Sequence, residues 1–396
     1  MRVLIVLTYY RPHVSGLTIY AERLAQQLVA RGHRVTVLCA RHDRSLPRRE
    51  VVNGTRIVRV PVVARISKGV VMPMPLWALW QVWRHDAVSV HLPQFDGGAV
   101  AMIGRLARRR TVVTYHCDLR LPKGLVNRLA DLVTYLMNLL AGVFAHQVVA
   151  YTEDYAEHSS LLRRFRRKIR VCPPPVVIAR PEPGTVEQLR ATWGATQGPV
   201  IGMAARLATE KGVEHLVRAM PVVLERFPDA RVVFAGAHVD VVGEAGYRAS
   251  LAPDIERLGE RWRFVGELGP DEMADFFGAL DVLVVSSVNS TESFGLVQVE
   301  AMLCGTPVVA SDLPGVRQPV AMTGMGVVVP PADPGSLAAG LVEVVGDPDR
   351  YTVPRDQIQD RFDVTSTIAC YEDLLAKRPT LGCSDANAGE AGHAPG

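Results

Sequence analysis

The chain has 396 residues, of which 48% are hydrophobic and 21% charged, a composition typical of a folded protein that excludes a disordered or fibrous one. Because this length exceeds the usual size of one hydrophobic core, two domains are expected. Six scattered cysteines without a Cys-x-x-Cys pair predict free thiols in a reducing cytoplasm rather than a disulfide framework. The apolar run at residues 3–7 is too short for a signal peptide, so secretion is not expected.

Charge divides the chain into two unlike parts. Residues 1–175 contain 27 Lys and Arg against 10 Asp and Glu, a net charge of +17, whereas the remainder carries −13. Such a basic part predicts an anionic partner, either nucleic acid or a membrane surface. Because the sequence contains no helix-turn-helix, zinc-finger or RNA-stacking motif, nucleic acid is not expected, and an anionic membrane or a membrane-bound partner is favoured.

The first part of the chain alternates strands with helices. A strand at residues 2–7 leads through a loop to Gly16, a helix follows at 17–31, and Gly32 ends it. Further apolar runs predict strands at residues 35–39, 88–92, 111–115 and 147–151. This alternation predicts a parallel sheet with right-handed crossovers.

Prolines between residues 172 and 183 interrupt this pattern and predict a linker. We therefore place a first domain at 1–175, a linker at 176–183 and a second domain at 184–350, followed by a helical segment at 351–378 that packs back toward the first domain and a disordered tail at 379–396. Strands of the second domain are predicted at residues 200–204, 231–235, 263–265, 282–285, 308–310 and 327–329.

Four charged residues of the second domain follow two of these strands. Arg206 and Lys211 come after the strand at 200–204, and Glu292 and Glu300 come after the apolar run that ends at Ser287. Two cations suit a diphosphate, while carboxylates accept hydrogen bonds from the hydroxyls of a sugar and a ribose. Eight helical positions advance by about 12 Å, so the two glutamates reach opposite ends of an elongated ligand. The alternatives are a capped helix with two solvated acids and a solvated basic face.

The start of the helix predicted at 294–304 strengthens the ligand interpretation. The main-chain amides of Phe294, Gly295 and Leu296 carry positive partial charge at a helix N-terminus. Gly295 has no side chain to keep an anion or a sugar away. These three residues are therefore predicted to bind the same diphosphate-containing ligand.

Together with Tyr9-Tyr-Arg-Pro-His-Val-Ser-Gly16, Arg31-Gly-His-Arg-Val35 and Gly305-Thr-Pro-Val-Val-Ala-Ser311, these residues resemble the family 4 retaining glycosyltransferases from about residue 1 to residue 375. The resemblance implies an α/β fold called GT-B, in which two Rossmann-like domains face each other across a cleft. It also implies that Gly16 lets the donor phosphates approach closely. Members commonly carry Gly-Gly where this chain has Ser15-Gly16, so the geometry of this loop is left open.

The resemblance implies a role for each remaining candidate. Glu292 meets the sugar hydroxyls, Glu300 meets the ribose, His116 at a strand end points to the cleft near the reacting carbon, and Asp118 orients it or meets the acceptor. The reaction is retaining transfer of a hexose from GDP-mannose or a UDP-hexose to a hydroxyl acceptor, lipid-linked or glycan. Arg206 and Lys211 supply the positive charge, so no metal ion or other cofactor is expected. The one Asp-x-Asp pair, Asp347-Pro-Asp349, lies in a proline turn.

Three alternatives stay open for the function: a soluble small-molecule or natural-product acceptor, a non-catalytic sugar-nucleotide-binding protein, and a GT-B epimerase. For the location, residues 159–170 place four apolar side chains near one helix face with arginines elsewhere, which suits lipid headgroups or a domain-surface helix. Residues 132–149 are interrupted by polar side chains and are interpreted as a buried helix and strand, not a membrane span. A cytoplasmic protein, peripheral at the inner face of the membrane, is expected.

Overall fold

Two separate parallel sheets organise the chain in the computed structural model, which describes residues 1–66, 69–119, 124–195 and 197–376. The strands of the first domain are β1 (Arg2–Val6), β2 (Arg34–Arg41), β3 (Arg49–Val52), β4 (Thr55–Pro61), β5 (Ala64–Ile66), β6 (Gly69–Val71), β7 (Ala87–Leu92), β8 (Arg110–Tyr115), β9 (Gln147–Ala150) and β10 (Ile169–Val171). Its helices are α1 (Gly16–Ala30), α2 (Met74–Arg84), α3 (Gly97–Leu106), α4 (Leu125–Phe144) and α5 (Glu153–His158).

The second domain repeats this alternation. Its strands are β11 (Val200–Ala204), β12 (Arg231–Ala235), β13 (Trp262–Gly266), β14 (Val282–Val285), β15 (Val308–Ser311) and β16 (Gly326–Val329). The helices that follow residue 182 are α6 (Pro183–Thr192), α7 (Val213–Arg226), α8 (Ala245–Leu258), α9 (Pro270–Gly278), α10 (Leu296–Leu303), α11 (Gln318–Thr323), α12 (Pro334–Gly346), α13 (Arg355–Arg361) and α14 (Val364–Leu375).

The first sheet has the order β10–β9–β8–β7–β1–β2–β4–β3, and β3 runs antiparallel to β4. The second has the order β13–β12–β11–β14–β15–β16, with parallel pairing throughout. Nearly continuous Val, Ile and Leu runs form the inner strands because helices cover both of their faces. The predicted strands are confirmed, with ends that shift by at most two residues.

The β3–β4 hairpin was not predicted, although the sequence carries a signal for it. Asn53 and Gly54 connect the two strands with positive φ angles of 47° and 75°. This conformation is that of a two-residue hairpin turn, for which Asn-Gly is the preferred pair. The hairpin extends the first sheet at its edge, away from the neighbouring strands β1, β7 and β8.

Helix α14 returns to the first domain after the chain has completed the second. The buried hydroxyl of Tyr371 lies 2.5 Å from that of Tyr20 on α1 and 2.8 Å from that of Thr114 on β8. Glu372 accepts hydrogen bonds of 2.8 Å from Arg31 and His33, at the end of α1. One apolar cluster therefore runs from α1 through α14 to the helices of the second domain.

The prediction that all cysteines are free is wrong for one pair. A disulfide joins Cys172, in the turn after β10, to Cys370 on α14. The two residues are 198 positions apart, and only the return of α14 to the first domain brings them together. Cys39, Cys117 and Cys304 are free thiols, whereas Cys383 and the tail predicted at 379–396 lie outside the described residues.

The amphipathic helix predicted at residues 159–170 is also wrong. The segment forms a short 3₁₀ helix at Leu162–Lys168, with non-helical backbone angles at Phe165. Leu161 and Leu162 are buried in the core of the first domain and do not face solvent. The apolar side of this segment thus packs against its own domain, because a helix cannot continue through the kink, and the exposed residues are the arginines and Ser160.

Tyr371→Phe is expected to lower stability because it leaves the buried hydroxyls of Tyr20 and Thr114 without this partner. Unsatisfied buried groups cost about 1–3 kcal/mol, which lowers the thermal midpoint by about 2–4 °C per kcal/mol in a domain of this size. Calorimetry of the purified variant checks this. Tyr351→Phe is the control, since the hydroxyl of Tyr351 bonds to Glu343 at the surface and water replaces it there. Equal midpoints for the two variants would contradict the role of Tyr371.

Candidate active site in the interdomain cleft

Loops at the carboxyl ends of strands from both sheets meet in the cleft, which is where open α/β sheets bind ligands. In the second domain these loops follow β11 and β14, and they contact each other because the amide of Val288 donates to the carbonyl of Glu210 at 3.1 Å. In the first domain they follow β1 and β8. The two sides touch where the hydroxyl of Ser293 donates to the main-chain carbonyl of His116.

Lys211 and Glu292 form an ion pair at the centre of the second-domain loops. The Lys211 ammonium donates to Glu292 Oε2 at 2.5 Å, and both side chains are about 20% exposed. The amide of Gly295 donates to the other carboxylate oxygen at 3.0 Å. Burial alone raises the pKa of Glu292, but Lys211 and the amides of Gly295 and Phe294 outweigh it, so that the net shift of the pKa is downward.

The position of Lys211 depends on the glycine that follows it. Gly212 ends the short 3₁₀ turn Thr209–Lys211 with a φ of 63° and begins α7. A Cβ at this position would lie 2.3 Å from the carbonyl oxygen of Ser286. The Ser286 hydroxyl donates to the carbonyls of Lys211 and Gly212 at 3.0 and 3.1 Å. Glycine is therefore required for the two loops to approach each other.

Arg206 lies at the mouth of the cleft. Its guanidinium donates to Glu210 at 3.2 Å and is 42% exposed. Burial, the neighbouring His42 and the charge of Arg206 together lower the pKa of His13 to about 4. His13 belongs to the first-domain loop that the sequence singled out. The positive charge of Arg206 thus acts on this loop.

The residues at the start of α10 contribute main chain rather than side chain. The helix begins at Leu296 and not at Phe294, because Gly295 has a φ of 75°. The Phe294 ring is buried against Tyr151 and Phe362. In this structure, Glu292 is the acceptor for the amide of Gly295. An anionic ligand at the start of α10 would therefore find the amide of Gly295 already bonded to the carboxylate of Glu292.

Glu300 is on the buried side of α10, where it meets the first domain. Its carboxylate accepts a hydrogen bond of 2.6 Å from Arg23 on α1, and it is only 8% exposed. The second guanidinium nitrogen of Arg23, Nη1, is buried without a hydrogen-bond partner. Sequence analysis gave Arg23 no role, since its approach to Glu300 depends on how the domains meet.

His116 ends β8 as predicted, but its ring does not point into the cleft. Nε2 lies 2.8 Å from His91 Nδ1, and Nδ1 bonds to the hydroxyl of Tyr151. The residue is 5% exposed, and burial lowers the pKa of both histidines, that of His91 to about 3. The neutral rings of His91 and His116 are therefore hydrogen-bonded to each other below the floor of the cleft. The part of His116 that reaches the cleft is its main-chain carbonyl.

Asp118 lies beside a small cavity on the first-domain side. Its carboxylate accepts hydrogen bonds of 2.8 Å from Tyr115 and Ser159. Its amide donates to the hydroxyl of Tyr155, which in turn donates to the carbonyl of Ser290 in the second domain. The cavity has a volume of about 130 Å³, and its lining comprises Tyr115, Asp118, Leu119, Asp131, Thr134, Tyr135, Asn138 and Ser160. Asp118 thus joins this polar cavity to the loop that leads to Glu292.

Gly16 is the first residue of α1, next to the N-cap Ser15, whose side chain accepts from the amide of Thr18. No atom lies within 4 Å of the position that a Cβ at Gly16 would take. The fold itself therefore leaves room for a larger residue here. The Ser15 hydroxyl serves the helix cap in this structure.

A second ion pair, which the sequence did not suggest, closes the cleft on one side. Arg317 of the second domain donates through Nε and Nη2 to the carboxylate of Asp154 on α5, at 2.9 and 2.5 Å. The amide of Gly315 donates to the same carboxylate at 2.8 Å. Although burial opposes it, this set of donors lowers the pKa of Asp154. Arg317 and Asp154 therefore join the two domains on this side of the cleft.

Within the described part of the chain, no group of three or more His, Cys, Asp or Glu residues is arranged to hold a metal ion. Asp347 and Asp349 flank the start of the 3₁₀ turn Pro348–Tyr351 at the end of α12. None of the described helices combines the length and the apolar character that crossing a bilayer requires.

Similarity of this chain to known proteins, in sequence and in fold, identifies its family. Residues 15–175 match the glycosyl transferase 4-like domain, and residues 186–361 match the glycosyl transferases of group 1. The chain is a group 1 glycosyltransferase of the family 4 type. The 2-deoxystreptamine glucosyltransferase of Streptomyces kanamyceticus is 31% identical to it over 74% of this chain and 79% of that protein.

Two further comparisons cover nearly the whole of this glycosyltransferase. A D-inositol 3-phosphate glycosyltransferase of Acidothermus cellulolyticus is 28% identical over 92% of this chain and 87% of that protein. Anabaena HepE, solved in complex with UDP and glucose, has a TM-score of 0.76 at 20% identity and covers 95% of this chain and 99% of its own. The predicted GT-B fold is thus confirmed.

Lys211→Met is expected to remove the positive charge that lowers the pKa of Glu292. Because that pKa lies below its value of about 4.3 in the unfolded chain, the stabilisation is complete above this pH and is lost as the pH falls through the folded pKa. The difference in thermal midpoint between wild type and variant should therefore be largest above pH 5 and narrow below pH 4. Differential scanning fluorimetry across pH measures it.

The control for this series is Arg257→Met, which removes a cation from an exposed ion pair with Asp254. Exposed pairs contribute little to stability, so this variant should follow the wild type at every pH. A midpoint difference for Lys211→Met that stays constant across pH would contradict the proposed charge coupling.

Proposed function

We propose that this glycosyltransferase transfers a hexose from a nucleoside-diphosphate sugar to a hydroxyl acceptor, with retention of configuration at the anomeric carbon. The observation that carries the proposal is the placement of Arg206, Lys211 and Glu292 on two second-domain loops that contact each other, with the Lys211–Glu292 ion pair between them. Bond breaking puts negative charge on the leaving phosphate, and two cations beside it stabilise that charge. Glu292, which is held ionised, would accept hydrogen bonds from the sugar hydroxyls.

A front-face reaction needs no nucleophile from the protein. The bond between the anomeric carbon and the phosphate oxygen breaks, and its electron pair stays on the phosphate. The acceptor hydroxyl attacks from the same face and gives its proton to that phosphate. The His116 carbonyl lies where the two domains meet and would stabilise the positive charge on the sugar, while its buried ring keeps the carbonyl in position. Arg206 and Lys211 take the place of a metal ion.

Glu300 would recognise the ribose, which GDP-mannose and the UDP-hexoses share, so it does not separate these donors. In the structure its carboxylate is bonded to Arg23, and a ribose hydroxyl would share this acceptor or replace the arginine. Gly16 would admit the donor phosphates from the first-domain side. The HepE complex with UDP and glucose supports UDP-glucose as the first donor to test.

The acceptor would enter through the polar cavity beside Asp118. The basic first domain favours a lipid-linked or glycan acceptor at a membrane surface, as the charge analysis predicts. The relatives favour a second candidate, because one is a 2-deoxystreptamine glucosyltransferase and another a D-inositol 3-phosphate glycosyltransferase. A small, soluble, hydroxylated acceptor is therefore the alternative. Family membership argues against a binding protein without activity and against an epimerase.

A panel of UDP- and GDP-sugars tests the donor. We expect one nucleotide class to raise the thermal midpoint, and mass spectrometry to detect transfer or slow hydrolysis with that donor. Arg206→Ala and Lys211→Ala should each fold and lose turnover by several orders of magnitude, because each removes a charge-assisted contact to the leaving diphosphate. Arg257→Ala, an exposed arginine in the same domain, is the control. Undiminished transfer by the double variant would contradict the phosphate assignment.

Gly16→Val is expected to fold normally but to bind the donor at least tenfold more weakly, because its side chain would occupy the space proposed for the phosphates. Gly184→Val is a matched control, since Gly184 also lies in the first turn of a helix, with no atom within 4 Å of its Cβ position. Calorimetric titration with the donor nucleotide measures both. Equal affinity for the two variants would exclude Gly16 from the phosphate site.

A further inference from the structure

Three helices of the first domain expose large apolar side chains to solvent. Helices α2, α3 and α4 pack side by side over one face of the first sheet, with α3 in contact with both neighbours. Their inner sides bury small residues such as Ala78, Ala101 and Ala141 in the core. Their outer sides carry Leu76, Leu79, Trp80, Trp83, Leu106, Leu125, Leu129, Leu132, Leu136 and Val143, all of them exposed. We refer to these ten residues as the apolar face.

The apolar face continues along the whole of α4. Leu125, Leu129, Leu132, Leu136 and Val143 recur at intervals of three, four and seven residues, so they form one stripe along the helix. Twenty helical residues extend over about 30 Å. The prediction that residues 132–149 form a buried helix and strand is therefore wrong for the outer side of α4, which is exposed. An exposed apolar stripe of this length marks an interaction site, since monomeric proteins rarely leave a large apolar patch exposed.

Two tryptophans and two arginines stand at the α2 end of the apolar face. Trp80 and Trp83 are 59% and 61% exposed. The guanidinium of Arg84 lies 3.9 Å from the centre of the Trp80 ring, and that of Arg109 lies 6.0 Å from the Trp83 ring. Tryptophan prefers the boundary between hydrocarbon and water, and arginine extends from apolar surroundings toward charged headgroups.

The rim of the apolar face is basic. Exposed arginines on or just after the three helices are Arg84, Arg105, Arg108 and Arg128. At the other end, Lys168 donates to the last carbonyls of α4, which places the exposed Arg163, Arg164, Arg166 and Arg167 beside it. Among the acidic residues nearby, Asp86 is paired with Arg2, and burial raises the pKa of Asp96 to about 6.

We infer that the apolar face and its arginine rim dock the first domain onto a bilayer that contains anionic lipids. Apolar side chains enter the acyl boundary while the arginines meet the phosphates. A second copy of the chain fits less well, because a two-fold contact would set one basic rim against another. The arginines that the sequence assigned to a lipid-binding helix keep that role, but the apolar contact comes from α2–α4 instead of residues 159–170.

Helix α4 also lines the cavity beside Asp118 with Thr134 and Asn138. Docking through α4 would therefore bring the acceptor side of the cleft close to the lipid surface, a consequence that rests on the proposed function. Binding to the bilayer itself does not depend on catalysis, so it is tested without donor or acceptor.

The test is co-sedimentation of the chain of residues 1–396 with vesicles of phosphatidylcholine alone or mixed in equal parts with phosphatidylglycerol. We expect binding to the mixed vesicles, little binding to the neutral ones, and weakening as salt shortens the Debye length from about 10 Å at 0.1 M to about 3 Å at 1 M. Trp80→Gln with Leu132→Gln should weaken binding at least tenfold. Changing Arg163, Arg164, Arg166 and Arg167 to Gln should abolish most of the salt dependence.

The matched control is Val222→Gln with Val242→Gln, two exposed apolar residues of the second domain, which should bind as the wild type does. Thermal midpoints of all variants confirm folding. Equal sedimentation with neutral and mixed vesicles, or unchanged binding by the Trp80 and Leu132 variant, would overturn the inference. The inference would also be overturned if the wild type formed a dimer in solution and bound no vesicles, while the Trp80 and Leu132 variant was a monomer. The apolar face would then be a contact between copies.

Discussion

The positive charge of Lys211 is the feature on which the cleft depends. A lysine that is largely removed from water requires a partner, and Glu292 provides one at 2.5 Å. The same carboxylate accepts from the amide of Gly295, so it also fixes the backbone that begins α10. One carboxylate thus links the loop after β11 to the helix after β14. A diphosphate that entered the cleft would compete with Glu292 for Lys211. The positive charge of Lys211 would therefore have a partner both before and after the diphosphate binds.

Closure of the cleft uses side chains from both domains. Arg317 and Asp154 hold one side, Arg23 and Glu300 hold another, and Ser293 reaches the carbonyl of His116. These contacts join the two domains through charge-assisted hydrogen bonds rather than through a large apolar interface alone. Charged contacts of this kind can exchange one partner for another. A ligand that offers phosphate and hydroxyl groups can therefore take over part of the closing interaction.

Local sequence predicted most of the fold because parallel strands buried on both faces are nearly continuous apolar runs. It also placed Arg206, Lys211, Glu292 and Glu300 on the correct loops and helix, since strand ends position them. It did not predict the partners of these residues. Arg23 reaches Glu300 across two domains, and the ring of His116 turns toward His91 and Tyr151 because two neighbouring strands place them side by side.

Other features depended on tertiary placement that no local pattern carries. The return of α14 brings Tyr371 to Tyr20 and Cys370 to Cys172. The outward stripe of α4 also escaped prediction, because periodicity shows that a helix has an apolar side but not which side faces the sheet.

We propose that Arg206 and Lys211 hold the diphosphate of the donor. A crystal structure of the protein with the preferred nucleoside diphosphate would show whether they do. We expect phosphate oxygens within about 3 Å of the Arg206 guanidinium and the Lys211 ammonium, the distance of a charge-assisted hydrogen bond. A diphosphate bound elsewhere, with the Lys211–Glu292 pair unchanged and no phosphate oxygen near either cation, would contradict it.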